Sequence, residues 1–213
     1  MSSLPIVDPH DLISQIERML SDLGINPDAL VQRFGQERAR AERRAGKTFN
    51  LEQHIEAMVF AQLSSERPWG HIEQSREALR QIFFRWNPGD LQSADPQRLE
   101  NAVKAIKCGN RRLRFQMKAL AHNICKLRSI QDRFGTLDAF LDHDPPHVVV
   151  DLLSIHGSEY KLHEIGEALA YEYLKNVGVD CAKPDRHLRR LLGSARLGYS
   201  SSGTPEQPRA RIV

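Results

Sequence analysis

The stretch that decides the fold is residues 153 to 190, LSIHGSEYKLHEIGEALAYEYLKNVGVDCAKPDRHLRR. Residues 166 to 177 carry apolar side chains at the three-and-four spacing of a helix, and a further helix is predicted over residues 185 to 192. The preceding segment, residues 156 to 163, lacks this spacing and contains Gly157, which is typical of a turn. The stretch therefore predicts an irregular turn followed by two helices.

Helices are predicted along nearly all of the remaining chain. Asp8 caps a first helix that ends near Gly24, and a second helix runs from Asn26 through the Arg-rich segment 38–44 to Gly46. Other helix starts carry cap or proline signals: Asn50 with Gln53, Pro68, Asp95-Pro96, Asn110, Thr136 and Asp144-Pro145-Pro146.

The apolar pattern after Pro68 continues through Ile72 and Leu79 to Trp86, which predicts one long helix. Only residues 147 to 150 have strand composition, and their neighbours fit a short buried helix better. The predicted fold class is therefore all-α.

Three parts of the chain are distinguished by these patterns. Residues 1–48 form N-terminal helices, and residues 49–197 form the main helical domain. Residues 198–213 are rich in Ser, Gly and Pro, which predicts a disordered tail.

The charge distribution is more informative than the net charge. The 213-residue chain is 40% hydrophobic and 27% charged, which is typical of a globular protein, and its formal net charge is only +3. Three basic clusters stand out: Arg38, Arg40, Arg43 and Arg44; Arg111, Arg112, Arg114 and Lys118; and Arg186, Arg189 and Arg190. Acidic residues are scattered, so these clusters favour a nucleic-acid-binding surface over a uniformly charged one.

The sequence contains no signal for a metal site, a secretory leader or a membrane span. Cys108, Cys125 and Cys181 form no CxxC pair, and no histidine pair forms HExxH. Residues 1–10 lack a basic segment followed by an apolar one, and no apolar run reaches membrane-spanning length. A cytoplasmic protein without a metal or other cofactor is expected.

The order of elements over residues 49–192 resembles the helix-hairpin-helix superfamily of DNA glycosylases, which includes endonuclease III and the alkyl-base glycosylases. The matching segments are 57–65, similar to an early family helix; 93–100, similar to its ADPEEL helix start; Gly109 with the basic helix after it; 165–170, similar to part of its GxGxxTA hairpin; and 183–190, similar to its VDTHVxR block. The resemblance implies a two-lobed all-α fold with a basic cleft, acting as a monomer on double-stranded DNA of the nucleoid.

The resemblance also implies base excision, with Asp185 as the catalytic carboxylate. Breaking an N-glycosidic bond builds positive charge on the sugar, which a fixed carboxylate stabilises while it orients a water. Asp185 follows Pro184 and precedes a helical segment, and a position near an N-cap favours the ionised carboxylate. In this alignment Ala168 stands at the Schiff-base lysine position, and alanine cannot form that adduct. Hydrolysis without lyase chemistry is therefore expected.

A rival alignment pairs Lys161 with Asp180 and implies a bifunctional glycosylase/lyase. It ranks second because His187 and Arg189 match the family block only when Asp185 is the carboxylate. The three cysteines are too few for the iron–sulfur cluster of some relatives, which needs four ligands.

The residues implied to contact DNA are Gln62, Arg111, Arg112, Lys161, Gly166, His187, Arg189 and Arg190. Candidate walls of the pocket for an extruded base are Trp69, Trp86 and Tyr160. Residues 156–163 stand where the family has a tight LPGxG turn, and few residues follow Leu192, where relatives carry further helices. These departures leave two alternatives open: a non-catalytic DNA-binding protein of the same fold, and an all-α interaction protein with incidental basic faces.

Overall fold

The computed structural model describes residues 8–29, 36–183 and 190, and all the regular secondary structure in these residues is helical. The all-α prediction is therefore confirmed for this part of the chain. Two compact units are present, one formed by Met1–Arg33 with Lys183–Val213 and the other by Phe34–Ala182. The predicted helix over 185–192 and the predicted tail over 198–213 lie outside the described residues.

In the first unit, helix α1 spans Pro9–Asp22 and begins as the sequence predicts. The Asp8 carboxylate accepts a hydrogen bond from the His10 N–H at 2.8 Å, and proline occupies the first helical position. The helix ends at Leu23, and Gly24 takes a φ of +71°, which glycine adopts without steric cost.

In the second unit the elements follow in chain order as α2 (Gln36–Arg44), α3 (Leu51–Leu63), α4 (Trp69–Gln74), α5 (Arg76–Ile82), a 3-10 turn (Phe84–Trp86), α6 (Pro88–Ser93), α7 (Pro96–Ala105), α8 (Leu113–Phe134), α9 (Leu137–His143), α10 (Pro146–Ser154) and α11 (Glu167–Asn176). Helix α3 is the central element, because it packs against α8 and α11 and is buried along most of its length from His54 onward. Helix α8, with 22 residues, supports α6, α7 and α9.

Local cap signals predicted most helix starts. Asn50 and Gln53 form the predicted capping box, with reciprocal hydrogen bonds of 3.0 and 2.9 Å between side chain and backbone. Asp95 caps α7 and Thr136 caps α9 as predicted. Helix α10 contains the segment of strand composition, in agreement with the prediction of a short helix there.

The single helix predicted from Pro68 to Trp86 is wrong. Ser75 ends α4 with φ −90° and ψ 4°, and its hydroxyl donates to the His71 carbonyl at 3.0 Å. After α5, the residues Phe84, Arg85 and Trp86 all take positive φ values, which turns the chain so that Trp86 stacks on Phe83 in the core. The hydrophobic spacing is correct, but tertiary packing breaks the backbone in two places.

The predicted cap of α8 is also wrong. Asn110 does not cap the helix, which begins three residues later with Arg112 at the N-cap position. Instead the Asn110 Oδ1 accepts from the Arg112 N–H at 2.9 Å, and its Nδ2 donates to the Gln62 carbonyl at 2.8 Å. Asn110 therefore joins the start of α8 to the end of α3.

Candidate functional site

Residues 155–166, between α10 and α11, form a compact hairpin. Gly157 turns the chain with a φ of +89°. The Leu162 N–H then donates to the Leu153 carbonyl at 3.0 Å, which brings the segment back to the end of α10. Leu162 and Ile165 are buried, so apolar packing holds the hairpin in addition to the hydrogen bond.

The hairpin is docked on α8 by three contacts. The buried Asn123 side chain donates to the His163 carbonyl at 2.9 Å and accepts from the His163 N–H at 2.7 Å. The Arg112 guanidinium donates to both carboxylate oxygens of Glu164, with distances of 2.7 to 2.9 Å. The rings of His122 and His163 stack with their centroids 4.0 Å apart. These contacts fix the exposed edge of the hairpin relative to α8.

The end of α3 reaches the same part of α8. The Gln62 carbonyl accepts from Asn110 Nδ2 at 2.8 Å and from Gln116 Nε2 at 3.2 Å. Just beyond α3, Glu66 pairs with Arg111 at 2.9 Å. Since Arg111 and Arg112 are adjacent, the start of α8 contacts the α3 end and the hairpin together. Residues 62–66, 110–126 and 155–166 are called the hairpin face below.

Gln62, which the sequence predicts to contact DNA, is buried. Its side chain has no exposed surface, because the end of α3 is covered by the start of α8. Both polar atoms of its amide lack a hydrogen-bond partner among the described residues. A glutamine at a helix end is ordinarily exposed, and the hydrogen bonds that Asn110 and Gln116 donate to the Gln62 carbonyl come from about fifty residues further along the sequence.

Lys161 and Asp180, the pair of the rival alignment, are engaged in different contacts. The Lys161 ammonium donates to the carbonyls of Leu162 and Ile165 inside the hairpin. Burial lowers the pKa of Lys161, and the nearby Glu164 opposes that effect.

Asp180 instead forms ion pairs with α2, to Arg40 at 2.9 Å and to Arg44 at 3.3 Å. The carboxylate of Asp180 is thus committed to two guanidinium groups.

Ala168 lies in the first turn of α11, and Gly166 precedes that helix without a side-chain cap.

Arg111 and Arg112 are solvent-exposed, with 85% and 57% of their side-chain surface accessible. The pair of Arg111 with Glu66 is a surface ion pair, which contributes about 0 to 1 kcal/mol. The pair of Arg112 with Glu164 is bidentate and its carboxylate is only 22% exposed, so it holds the hairpin more firmly. Arg190 is exposed as well. Asp185, His187 and Arg189 lie outside the described residues.

The three aromatic candidates for a pocket belong to the core instead. Trp86 is buried, stacks on Phe83 with centroids 5.2 Å apart and contacts Phe60, which also packs against the half-buried Trp69. Tyr160 packs edge-on against Phe134 and tilted against Phe140, in a second group of aromatic rings. These rings join helices together, and their role as pocket walls stays a prediction.

A buried polar cluster, absent from the sequence-based predictions, links α2, α3, α9 and α11. His54 Nδ1 lies 2.7 Å from the Tyr173 hydroxyl, and its Nε2 lies 3.4 Å from Asp138 Oδ1. Asp138 also accepts from Arg43 at 2.6 Å and from the Phe49 N–H at 2.5 Å.

The charges in this cluster are set by burial. Burial lowers the pKa of His54 despite the neighbouring Asp138, so the imidazole is neutral. Burial alone would raise the pKa of Asp138, but His54, the Phe49 amide and Arg43 hold it below its usual value. Burial raises the pKa of Tyr173, which keeps its hydroxyl protonated and donating to His54. His54 Nε2 faces the Asp138 carboxylate at 3.4 Å without a full hydrogen bond, and the cluster joins helices rather than facing solvent.

A cleft of about 740 Å³ opens where the N-termini of α3, α6 and α9 meet α8. The cap side chains Asn50, Asn87 and Thr136 already accept from the helix N–H groups that line it. The exposed Arg128 donates to Gln92 at 2.7 Å. The cap side chains and Arg128 of this cleft are thus partnered within the protein.

Within the residues that the structure describes, no three His, Cys, Asp or Glu side chains are grouped to hold a metal ion. In the same part of the chain, no helix is both long and apolar enough to cross a membrane.

Sequence reasoning assigned His163 to the hairpin but missed His122, Asn123 and Glu164, which complete the hairpin face. A signal for one of them exists, since Asn123 is a polar residue on the apolar face of α8, between Leu120 and Ile124. No family model, no curated protein and no solved structure matches this chain.

Proposed function

We propose that this protein is a monofunctional DNA glycosylase of the helix-hairpin-helix type, which hydrolyses the N-glycosidic bond of a damaged or mismatched base. The observation that carries the proposal is the hairpin face. Three segments that resemble the DNA-contacting parts of that superfamily, at the end of α3, the start of α8 and the hairpin before α11, contact one another through Arg111, Arg112 and Asn123. The finer architecture, two lobes around a basic cleft in a monomer, belongs to this proposal.

The hairpin face suits a phosphate backbone. The exposed ion pair of Arg111 loses little free energy when a phosphate replaces Glu66, and the guanidinium of Arg112 is 57% exposed beside it. The N–H groups at the start of α11 follow Gly166, which offers no capping side chain, and helix N-termini attract anions. Such contacts position a duplex without reading its sequence, as a damage-searching enzyme requires.

Asp185 is the proposed catalytic carboxylate. Its negative charge would stabilise the cationic sugar that forms as the base departs, and its second oxygen would orient the attacking water. The base itself would be extruded from the helix so that the enzyme reaches C1′.

The contacts of Lys161 and Asp180 favour hydrolysis over lyase chemistry. A Schiff base needs an amine that is free to attack the sugar, whereas Lys161 donates to the Leu162 and Ile165 carbonyls. The Asp180 carboxylate is paired with Arg40 and Arg44.

The test is single-turnover excision on a panel of duplexes with damaged or mismatched bases, read by alkaline strand scission. Asp185→Asn should reduce the rate on the excised lesion by about a hundredfold or more, because a fixed charge at the reacting sugar is lost. Folding should change by less than about 1 kcal/mol, since asparagine caps helices as well as aspartate.

Asp180→Asn is the matched control and should retain near-wild-type excision, because its carboxylate serves surface ion pairs. Loss of activity in Asp180→Asn with full activity in Asp185→Asn, together with borohydride trapping at Lys161, would identify a lyase. Tight duplex binding without excision of any lesion would identify the non-catalytic alternative.

A further inference from the structure

The exposed side of α8 carries a stripe of aromatic and cationic residues beside the hairpin. Phe115, Lys118, His122 and Lys126 recur at spacings of three, four and four, so they lie on one helix face. Phe115 is 49% exposed, and the Arg112 guanidinium lies 4.6 Å from its ring centroid. These four residues are called the helix-8 stripe.

The stripe contains two positive charges of the hairpin face that no carboxylate pairs with. Arg111 and Arg112 pair with glutamates, and the Lys161 ammonium is turned onto carbonyls. Lys118 and Lys126, by contrast, form no ion pair with any residue in the described ranges. An anion that approaches the hairpin face therefore meets, along α8, cations that are not already paired with a carboxylate.

Between these two lysines stands the His122–His163 stack. The rings are 4.0 Å apart and only 20° from parallel, and both side chains are exposed. Asn123 fixes the backbone of His163 from both sides, so the stack is held by the fold. Two imidazoles in face-to-face contact repel each other once both are protonated, unless an anion bridges them.

The groups around the stack make it responsive to an anion. On α8, Lys118 and Lys126 flank His122; on the hairpin, Lys161 and Glu164 flank His163, with Glu167 at the start of α11. Partial burial, the neighbouring His163 and Lys126 together lower the pKa of His122. The negative charge of a bound phosphate counters the positive charges of the nearby lysines and so favours the protonated imidazole.

We propose that the helix-8 stripe and His163 bind a backbone phosphate of DNA and that this contact strengthens as pH falls from 8 to 6. The inference rests on the proposed function, because it assumes that the hairpin face meets a duplex. Linkage sets the direction: a complex that binds more protons than the free protein is stabilised by acid.

The test is fluorescence anisotropy of a random-sequence duplex at pH 8 and pH 6, at fixed ionic strength and over a range of salt. The wild type should bind about threefold or more tightly at pH 6, with a slope of log affinity against log salt steeper by about one. The double variant His122→Gln, His163→Gln should lose this gain and match the wild type at pH 8. Lys118→Ala should reduce the slope by about one at both pH values.

His143→Gln is the matched control, because His143 is equally exposed but lies at the end of α9 beside Asp144. It should keep the full pH effect. The inference is overturned if the double variant retains the pH gain, or if wild-type binding is the same at both pH values. An absence of duplex binding at either pH would overturn the proposed function as well, so the two failures are distinguishable.

Discussion

At the residue scale, the Tyr173 hydroxyl is a group outside the hairpin face whose removal should lower the free energy of unfolding. It is buried and lies 2.7 Å from His54 Nδ1. Because Nε2 faces the Asp138 carboxylate, we assign the imidazole proton to Nε2, so the Tyr173 hydroxyl is the donor to Nδ1. Tyr173→Phe removes that donor and leaves a buried nitrogen without a partner. We expect a loss of about 1 to 3 kcal/mol in the free energy of unfolding, measured by urea denaturation.

Tyr160→Phe is the control for this measurement. Tyr160 is half-buried against Phe134 and Phe140, and no hydrogen bond of its hydroxyl is present in the described part of the chain. Removal of the Tyr160 hydroxyl should change the free energy of unfolding by well under about 1 kcal/mol. Equal losses in the two variants would show that ring packing, not the hydrogen bond to His54, carries the effect.

Single residues also show where sequence reasoning stops. The charge clusters at Arg111 and Arg112 are predictable, because their exposure follows from local composition. The burial of Gln62 is not, because it depends on Asn110 and Gln116 approaching from a distant helix. Likewise, nothing near His163 in the sequence indicates that His122 stacks on it.

At the element scale, the hairpin depends on α8 for its position. Asn123→Leu keeps the approximate side-chain size but removes both hydrogen bonds to the His163 backbone. We expect faster amide hydrogen exchange across residues 155–166 and weaker duplex binding. Most other amides should keep their protection, because the core helices do not rely on this contact.

Asn101→Leu on α7 is the matched control, since its exposed side chain contacts only Gln97 among the described residues. It should leave exchange in the hairpin unchanged. Uniform acceleration throughout the protein in Asn123→Leu would mean that the variant lowers global stability and that the hairpin is not an independent unit.

Most helix starts were predictable, whereas the helix interruptions were not. Asp8, Asn50, Asp95 and Thr136 act through atoms two or three residues away, so the signal is complete within the local sequence. The break at Phe84–Trp86 follows from stacking in the core and has no glycine or proline to announce it. Cap chemistry is local, whereas kinks of this kind are imposed by packing.

At the scale of the whole molecule, acid should weaken the fold from near neutral pH. His54 is neutral when folded, while the unfolded chain binds a proton below about pH 6.5, so stability falls as pH drops past that value. One such proton contributes a slope of up to about 1.4 kcal/mol per pH unit. The depressed pKa of Asp138 adds a second loss below about pH 3.8.

Urea midpoints between pH 7.5 and pH 5 measure this slope. His54→Gln should flatten it whatever the absolute stability of the variant, because glutamine does not titrate. His122→Gln should flatten the pH dependence of stability much less than His54→Gln, since His122 is exposed and burial lowers its pKa less strongly than that of the buried His54. Equal slopes of the urea midpoint against pH for wild type and His54→Gln would contradict the attribution of the slope to His54.

The buried cluster also bears on how the protein is made. Arg43 and Asp138 are 95 residues apart, and His54 and Tyr173 are 119 residues apart. The ribosome releases the chain from its N-terminus, so α3 emerges long before α11 exists to cover it. A nascent chain that stops within α10 exposes the side of α3 that α11 covers and leaves His54 Nδ1 without Tyr173. Truncated translation products should therefore be substrates for chaperones and proteases rather than stable fragments.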